Sequence, residues 1–106
     1  MSMERDICEL HASFCTVFGH PHRLRILELV GKRERCVGDL ATELGTSASN
    51  VSQHLRLMKD RRAVIERREG QRVFYRLRNR KFLRAANLVR EALLEEFRKV
   101  GEAAEV

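Results

Sequence analysis

The sequence predicts a mainly α-helical fold with one small β-hairpin, in the order α-α-α-α-β-β-α. Apolar residues recur at three- and four-residue spacing in five stretches, the mark of helices with one buried stripe. Gly19, Pro21, Gly31 and Gly45 punctuate those stretches where helices stop and start. Val73-Phe74-Tyr75-Arg76-Leu77, rich in β-branched and aromatic residues, follows the turn Glu69-Gly70-Gln71 and reads as a returning strand. With 106 residues there is room for one domain around one modest core, spanning 1–106.

The first helix is expected over about 4–18. Ile7, Leu10, Phe14 and Val17 form its apolar seam, which Phe18 widens. Gly19 ends it, and Pro21 opens the second helix where a missing amide costs nothing. His20 is expected to cap that helix, with His22 exposed. Leu24, Ile26, Leu27, Leu29 and Val30 are too apolar for a helix lying in solvent, so this one is central, and Gly31 is expected to stop it. Lys32 to Cys36 is a polar connector with room for a short strand.

Cys36-Val37-Gly38-Asp39 imitates a capping box with a thiol in the hydroxyl position. A thiol caps poorly, so helix stability does not account for Cys36. A helix N-terminus favours a thiolate, which makes Cys36 a functional candidate. Leu40, Ala41 and Leu44 stripe the third helix, and Gly45 offers the positive φ of a helix stop. Ser47 then sits at an N-cap position. Val51, Leu55 and Met58 face inward from the fourth helix, leaving Ser49, Asn50, Ser52, Gln53, His54 and Arg56 on its outer face. These are short polar groups suited to base edges and phosphates, where an ordinary solvent face would more often carry Glu and Lys.

Two short helices around a tight turn, over about 37–60, make a helix-turn-helix whose second helix enters a major groove. The hairpin over about 63–77 is a basic wing behind it, able to lay Arg67, Arg68, Gln71 and Arg72 along phosphates. The bland alternative is an edge hairpin protected by its charge. The last helix, about 80–100, places Phe82, Ala85, Ala86, Val89, Leu93, Leu94 and Phe97 on one face. With the first helix it offers more apolar seam than so small a domain can cover. Dimerisation through Ile7, Leu10, Phe14, Val89, Leu93 and Phe97 follows, and a symmetric dimer presents two reading helices to two half-sites.

Charge supports a polyanion partner. The net charge is +6, and twelve of the Lys and Arg residues lie between Arg56 and Arg84 against Asp60, Glu66 and Glu69. The basic block thus follows directly on the reading helix. Double-stranded operator DNA is the expected partner, a second copy the expected subunit, and a membrane is not expected. No leader or membrane-length apolar run is visible and the three cysteines fit no secreted framework, so a cytoplasmic protein is expected. An enzyme is not expected, since no phosphate loop, triad spacing or paired-carboxylate cleft is present. RNA binding lacks stacked aromatics beyond Phe74 and Tyr75.

The chain resembles the ArsR–SmtB family of bacterial winged-helix repressors. The resemblance rests on four blocks: His20-Pro21-His22-Arg23-Leu24-Arg25-Ile26-Leu27 (the family usually has Asp before the Pro), Cys36-Val37-Gly38-Asp39-Leu40, Ser47 to Leu55, and Arg67 to Leu77. It covers Phe18 to Leu77 closely and the flanking helices by length and pattern. It implies a winged helix-turn-helix homodimer that represses its own operon and is released when a metal, metalloid or redox signal favours a dimer geometry that fits the operator poorly.

The chain departs from the family at its sensor sites. The last helix holds no His, Cys or Asp between Lys81 and Val100, so the family's site there is not expected. Of the family's paired cysteines at the third helix only Cys36 remains, with Gly38 in the second position. A third variant joins Cys36 and Asp39 to N-terminal ligands, for which Cys8, His11 and Cys15 are available. Cys8 and Cys15 sit about 10 Å apart on a regular helix, too far to share an ion at bonds of about 2.3 Å. Either one, with His11 and Cys36, is the expected set. Such ligands favour a soft ion as inducer: arsenite, cadmium, lead or copper(I). Two alternatives stay open: a redox or sulfur-species bridge between Cys36 and Cys15, and structural cysteines with no thiol inducer.

Overall fold

The structure is a computed structural model and describes residues 3–104. Its elements are α1 (Met3–Cys15), α2 (Pro21–Lys32), β1 (Arg35–Cys36), α3 (Val37–Leu44), α4 (Ala48–Asp60), β2 (Val64–Glu69), β3 (Arg72–Leu77) and α5 (Arg80–Ala104). It is a mostly helical winged helix-turn-helix, as the patterning predicts.

The core lies where α2, α3 and α4 meet β2. Val17, Ile26, Leu27, Leu29, Val30, Leu40, Val51, Leu55, Met58, Ala63 and Val64 are buried together. Burying side chains of this kind contributes about 1.5–3 kcal/mol each, which makes the helix-turn-helix the rigid part of the chain. Leu24 is the exception in α2: half-buried, it lines a shallow groove toward α5 with Phe18 and Val89.

Four expectations need correction. First, α1 ends at Cys15 and not near 18, because Thr16–Gly19 tightens into a 3-10 turn. The Thr16 hydroxyl, donating to the Ser13 carbonyl at 2.7 Å, marks the change. Second, Gly31 does not stop α2, which runs on to Lys32. A Cβ at Gly31 would lie 2.6 Å from Leu83 Cδ2 of α5, so close helix packing explains the glycine. Third, the sheet has three antiparallel strands in the order β1-β3-β2 and is not a lone hairpin. β1 pairs Arg35 with Tyr75 and Cys36 with Phe74, and a two-residue strand is too short to show a period in sequence. Fourth, α5 continues beyond Val100, the expected end of the last helix, to Ala104; residues 105 and 106 lie outside the described residues.

Two local predictions hold as made. Gly45 closes α3 with φ of 66°, and Gly70 turns the hairpin with φ of 63°. The hairpin register pairs Glu69 with Arg72, so the turn is the two residues between them. Among the described residues no helix is long and apolar enough to cross a membrane.

Candidate DNA-binding face and sensor residues

The fourth helix is set in place from beneath and from its start. Val51, Leu55 and Met58 are fully buried at i, i+4 and i+7, which fixes its rotation. At its N-terminus the Ser47 hydroxyl accepts a hydrogen bond from the Asn50 amide at 3.0 Å, as an N-cap should. With the helix so held, Ser49, Ser52, Gln53 and Arg56 are exposed on one side. Their side chains are free to meet base edges.

Asn50 and His54 are not on that outer side. Both are half-buried and turned toward α2. Asn50 Nδ2 donates to Thr46 Oγ1 at 3.0 Å and lies 3.4 Å from His22 Nδ1. His54 Nδ1 lies 3.2 Å from Arg23 Nη1. Arginine can only donate, so this nitrogen of His54 carries a lone pair. Arg23 also donates to the carbonyls of Thr16 at 2.8 Å and Val17 at 3.3 Å. One guanidinium thereby ties the 3-10 turn, α2 and α4 together. Burial first, then the charges of His20, Arg23 and His22, holds the His54 imidazole below its ordinary pKa, which keeps it neutral at neutral pH. His20 caps α2 as expected, its Nδ1 accepting from the His22 amide at 2.9 Å. His22 is half-buried where exposure was expected.

On the wing, Arg68, Gln71 and Arg72 are exposed. Arg67 is exposed too, but its guanidinium is occupied. Its Nε donates to both Glu34 carboxylate oxygens at 3.1 Å, Nη2 to Glu34 Oε1 at 2.8 Å, and Nη1 to Glu69 at 2.9 Å. Its pKa is raised accordingly, by Glu34 first and then Glu69. The Arg67 and Arg72 guanidiniums both lie over the Phe74 ring, at 4.9 and 5.2 Å from its centre. Glu34 was not singled out from sequence. The polar connector that holds it gives no spacing signal, and the partner is 33 residues away.

Cys36 stands at the N-cap of α3, half-buried, with no capping hydrogen bond from its side chain. Arg72 Nη2 approaches its sulfur at 3.8 Å. Asp39, in the first turn of α3, is exposed. Cys8, His11 and Cys15 are exposed along α1. No three of these five have ligand atoms within 4.8 Å of one another in the chain. Among the described residues, the one group of three or more His, Cys, Asp or Glu with ligand atoms all within 4.8 Å of one another is His20, His22 and His54. The sequence makes a ligand role for His20 and His22 conceivable but favours a cap and an exposed residue. Their signal was present in His20-Pro21-His22, but the third member lies on another helix.

The proposed dimer residues fall in two classes. Ile7, Leu10, Val89, Leu93 and Phe97 are exposed, with Leu10 at 65% and Phe97 at 68%. Phe14 is half-buried, stacked on Phe82 of α5 at 4.2 Å between ring centres and set edge-on to Phe18. An apolar cavity of about 380 Å³ opens between α1 and α5, lined by Ile7, Leu10, Phe14 and Phe82, with Arg61 and Arg62 at its edge.

Comparison with known proteins agrees with this architecture. Residues 20–65 match the family described as bacterial regulatory protein, arsR family. The HTH-type transcriptional regulator Rv0081 of Mycobacterium tuberculosis is 35% identical over 106 residues, covering 90% of this chain and 93% of that protein. A transcriptional repressor SmtB homolog of Synechocystis is 36% identical over 89 residues, covering 84% of this chain and 65% of that one. Among solved structures, the homodimeric winged helix-turn-helix DNA-binding domain Mb0332 of Mycobacterium bovis superposes with a TM-score of 0.79 at 28% identity, covering 90% of this chain and 88% of that one. With its reading helix, its wing and these relatives, the chain belongs to the ArsR/SmtB family of DNA-binding transcriptional regulators.

Proposed function

We propose that the chain is a homodimeric repressor that reads a palindromic operator with α4 and is released by a thiol-reactive signal. The observation that carries the DNA reading is the shared exposure of Ser49, Ser52, Gln53 and Arg56 on α4 and of Arg68, Gln71 and Arg72 on the wing. Hydroxyls, an amide and guanidiniums are the groups that bond base edges and phosphates. Ser47 contributes its hydroxyl proton while its oxygen caps the helix. Asn50 and His54 act from the flank by holding the helix against α2. Arg67 reaches phosphate only by leaving Glu34 and Glu69, an exchange that makes it a weaker contributor than Arg68 or Arg72.

The apolar residues left in solvent on α1 and α5 support a second copy as their cover. The relative Mb0332 is homodimeric. Burying Ile7, Leu10, Val89, Leu93 and Phe97 between protomers would set the spacing of the two reading helices.

The sensor reading rests on the position of Cys36. Its sulfur begins the helix-turn-helix and touches a wing arginine, Arg72, at 3.8 Å. Chemistry at that thiol acts on both DNA-contacting parts at once. A soft ion such as arsenite, cadmium or lead would bind the Cys36 thiolate. Since Cys8, His11, Cys15 and Asp39 form no cluster with it inside one chain, further ligands come from a second protomer or a displaced α1.

Fluorescence anisotropy of the reduced, metal-free protein on DNA from upstream of its own gene tests this. Binding should weaken with arsenite, cadmium or lead, and the response should vanish in Cys36→Ser. A polysulfide arm identifies the redox alternative: its effect requires both Cys36 and Cys15. Tight binding that ignores every thiophile would leave the repressor and remove the thiol sensor.

A further inference from the structure

We propose that His20, His22 and His54 form a binding site for a borderline divalent cation of the zinc, nickel and copper(II) class, set between α2 and the reading helix α4. The inference rests on the reading of α4 as the DNA-contacting helix only for its consequence, not for the site itself.

The geometry is that of three imidazoles around one centre. Ring centres lie 5.1 Å apart for His20 and His22, 4.4 Å for His20 and His54, and 5.7 Å for His22 and His54. Three imidazoles on one tetrahedral ion, at metal–nitrogen bonds of about 2.0–2.1 Å, place their ring centres roughly 5 Å apart. The ligand nitrogens lie within 4.8 Å of one another, against about 3.4 Å around a bound ion, so ring rotation of the order of an ångström closes the site. All three residues are half-buried, which limits competition from water. Imidazole without thiolate or carboxylate suits zinc, nickel and copper(II), not the hard or the softest ions.

The ion and the present hydrogen bonds are alternatives. A neutral imidazole has one lone-pair nitrogen. In His20 it accepts from the His22 amide, and in His54 it faces the donor-only Arg23. A metal takes that lone pair, or forces the ring proton onto the nitrogen that faces a donor. Either way the His20 cap and the Arg23–His54 contact are lost. Asn50, turned about its amide, presents an oxygen to the N–H of His22 and becomes a supporting acceptor. Arg23 stays nearby, held by the Thr16 and Val17 carbonyls, and the N-terminus of α2 adds partial positive charge. These two repulsions weaken the site and restrict it to ions that bind imidazole strongly. They also give the site its effect: filling it exchanges the Arg23–His54 contact for coordinate bonds that tie His54 to the α2 histidines and so shifts α4 against α2, and by linkage operator binding to the unshifted helix and ion binding oppose each other.

The test uses the full chain, metal-stripped and reduced. Cobalt(II) is the spectroscopic probe, and zinc is measured by competition with a chromophoric chelator. His20→Asn keeps a capping oxygen while removing a ligand; His22→Gln removes a second ligand at a position that bears no cap. A Cys8→Ser/Cys15→Ser/Cys36→Ser variant removes every thiol. The expected result is one cobalt per chain with tetrahedral visible absorption and no thiolate charge-transfer band. That signal should persist in the thiol-free variant and disappear in His20→Asn and His22→Gln, with zinc affinity down about tenfold or more. Zinc should also weaken operator binding of the thiol-free protein, and not that of His20→Asn. Cobalt absorption lost with the thiols, or zinc affinity unchanged in both histidine variants, would overturn the site. Should the protein bind no operator at all, the reading of α4 fails, while the cobalt spectrum still decides the histidines.

Discussion

The fourth and fifth helices carry the same kind of amphipathic stripe and meet opposite fates. On α4, Val51, Leu55 and Met58 are wholly buried. Among the α5 residues whose burial is described, only Phe82, Leu83 and Ala86, near its start, are half-buried against the rest of the chain. Leu88, Val89, Leu93, Leu94, Phe97 and Val100 stand in solvent, Leu93 at 52% exposure. A 25-residue helix is about 37 Å long, so most of α5 projects beyond the core. Periodicity marks which residues need cover. It does not say whether the cover comes from the same chain. An exposed apolar run of this size is what the proposed second copy would cover.

The contrast is sharpest in truncations of one leucine from each helix. Leu55→Ala should cost about 2–5 kcal/mol of unfolding free energy, because the cavity it leaves lies in the middle of the core. That is a large part of the 5–15 kcal/mol that holds most domains together. Chemical denaturation should show this loss at every protein concentration. Leu93→Ala should show a smaller loss that depends on concentration if, as proposed, a second copy covers its side chain. Equal, concentration-independent losses would mean that α5 packs within its own chain.

A charge on the same stripe tests the interface directly. Leu93→Glu should leave far-ultraviolet circular dichroism intact and convert the proposed dimer to a monomer in sedimentation. Operator affinity should then fall about 10²-fold or more, because each half-site binds without the effective concentration supplied by the other. A variant that still sediments as a dimer would move the interface off α5.

How far the sequence reveals the molecule follows from the range of the interactions. Gly45 and Ser47 were legible because a helix stop and an N-cap involve neighbours a few residues away. The apolar stripe of α4 was legible for the same reason. His54 and Arg67 were legible as polar, but not as occupied. Their partners, Arg23 and Glu34, lie 31 and 33 residues distant, and no local pattern encodes such a pairing. Gly31 looked like a stop because glycine usually is one; its reason is a side chain from α5. The connector left room for the strand β1 but could not require it, since two residues have no period and their pairing depends on β3. The cluster His20, His22 and His54 is of the same kind: each residue is visible in sequence, but not that α4 brings the third beside the first two.

The junction between the covered and uncovered helices rests partly on Glu28. This α2 carboxylate accepts from Arg25 at 2.9 Å and pairs with Arg90 of α5. Burial acts to raise its pKa, but the hydrogen bonds and charges of Arg90 and Arg25 prevail and hold it below the ordinary carboxylate value. A carboxyl depressed in the folded state binds its proton more readily when unfolded. Its stabilisation is therefore complete above the unfolded pKa and lost as pH falls through the folded one. Both arginines are about half exposed, so the effect is small, at most about 1 kcal/mol. The stability of Glu28→Gln should lie below that of the native chain at neutral pH, with the gap closing as pH falls below the ordinary carboxylate range. Subtracting the two curves removes the other carboxylates, Glu34 and Glu66 among them, which are depressed by their own partners. A gap that persists unchanged in acid would show that Glu28 acts by packing and not by charge, alongside Leu83 on Gly31 and Phe82 on Phe14 in seating α5.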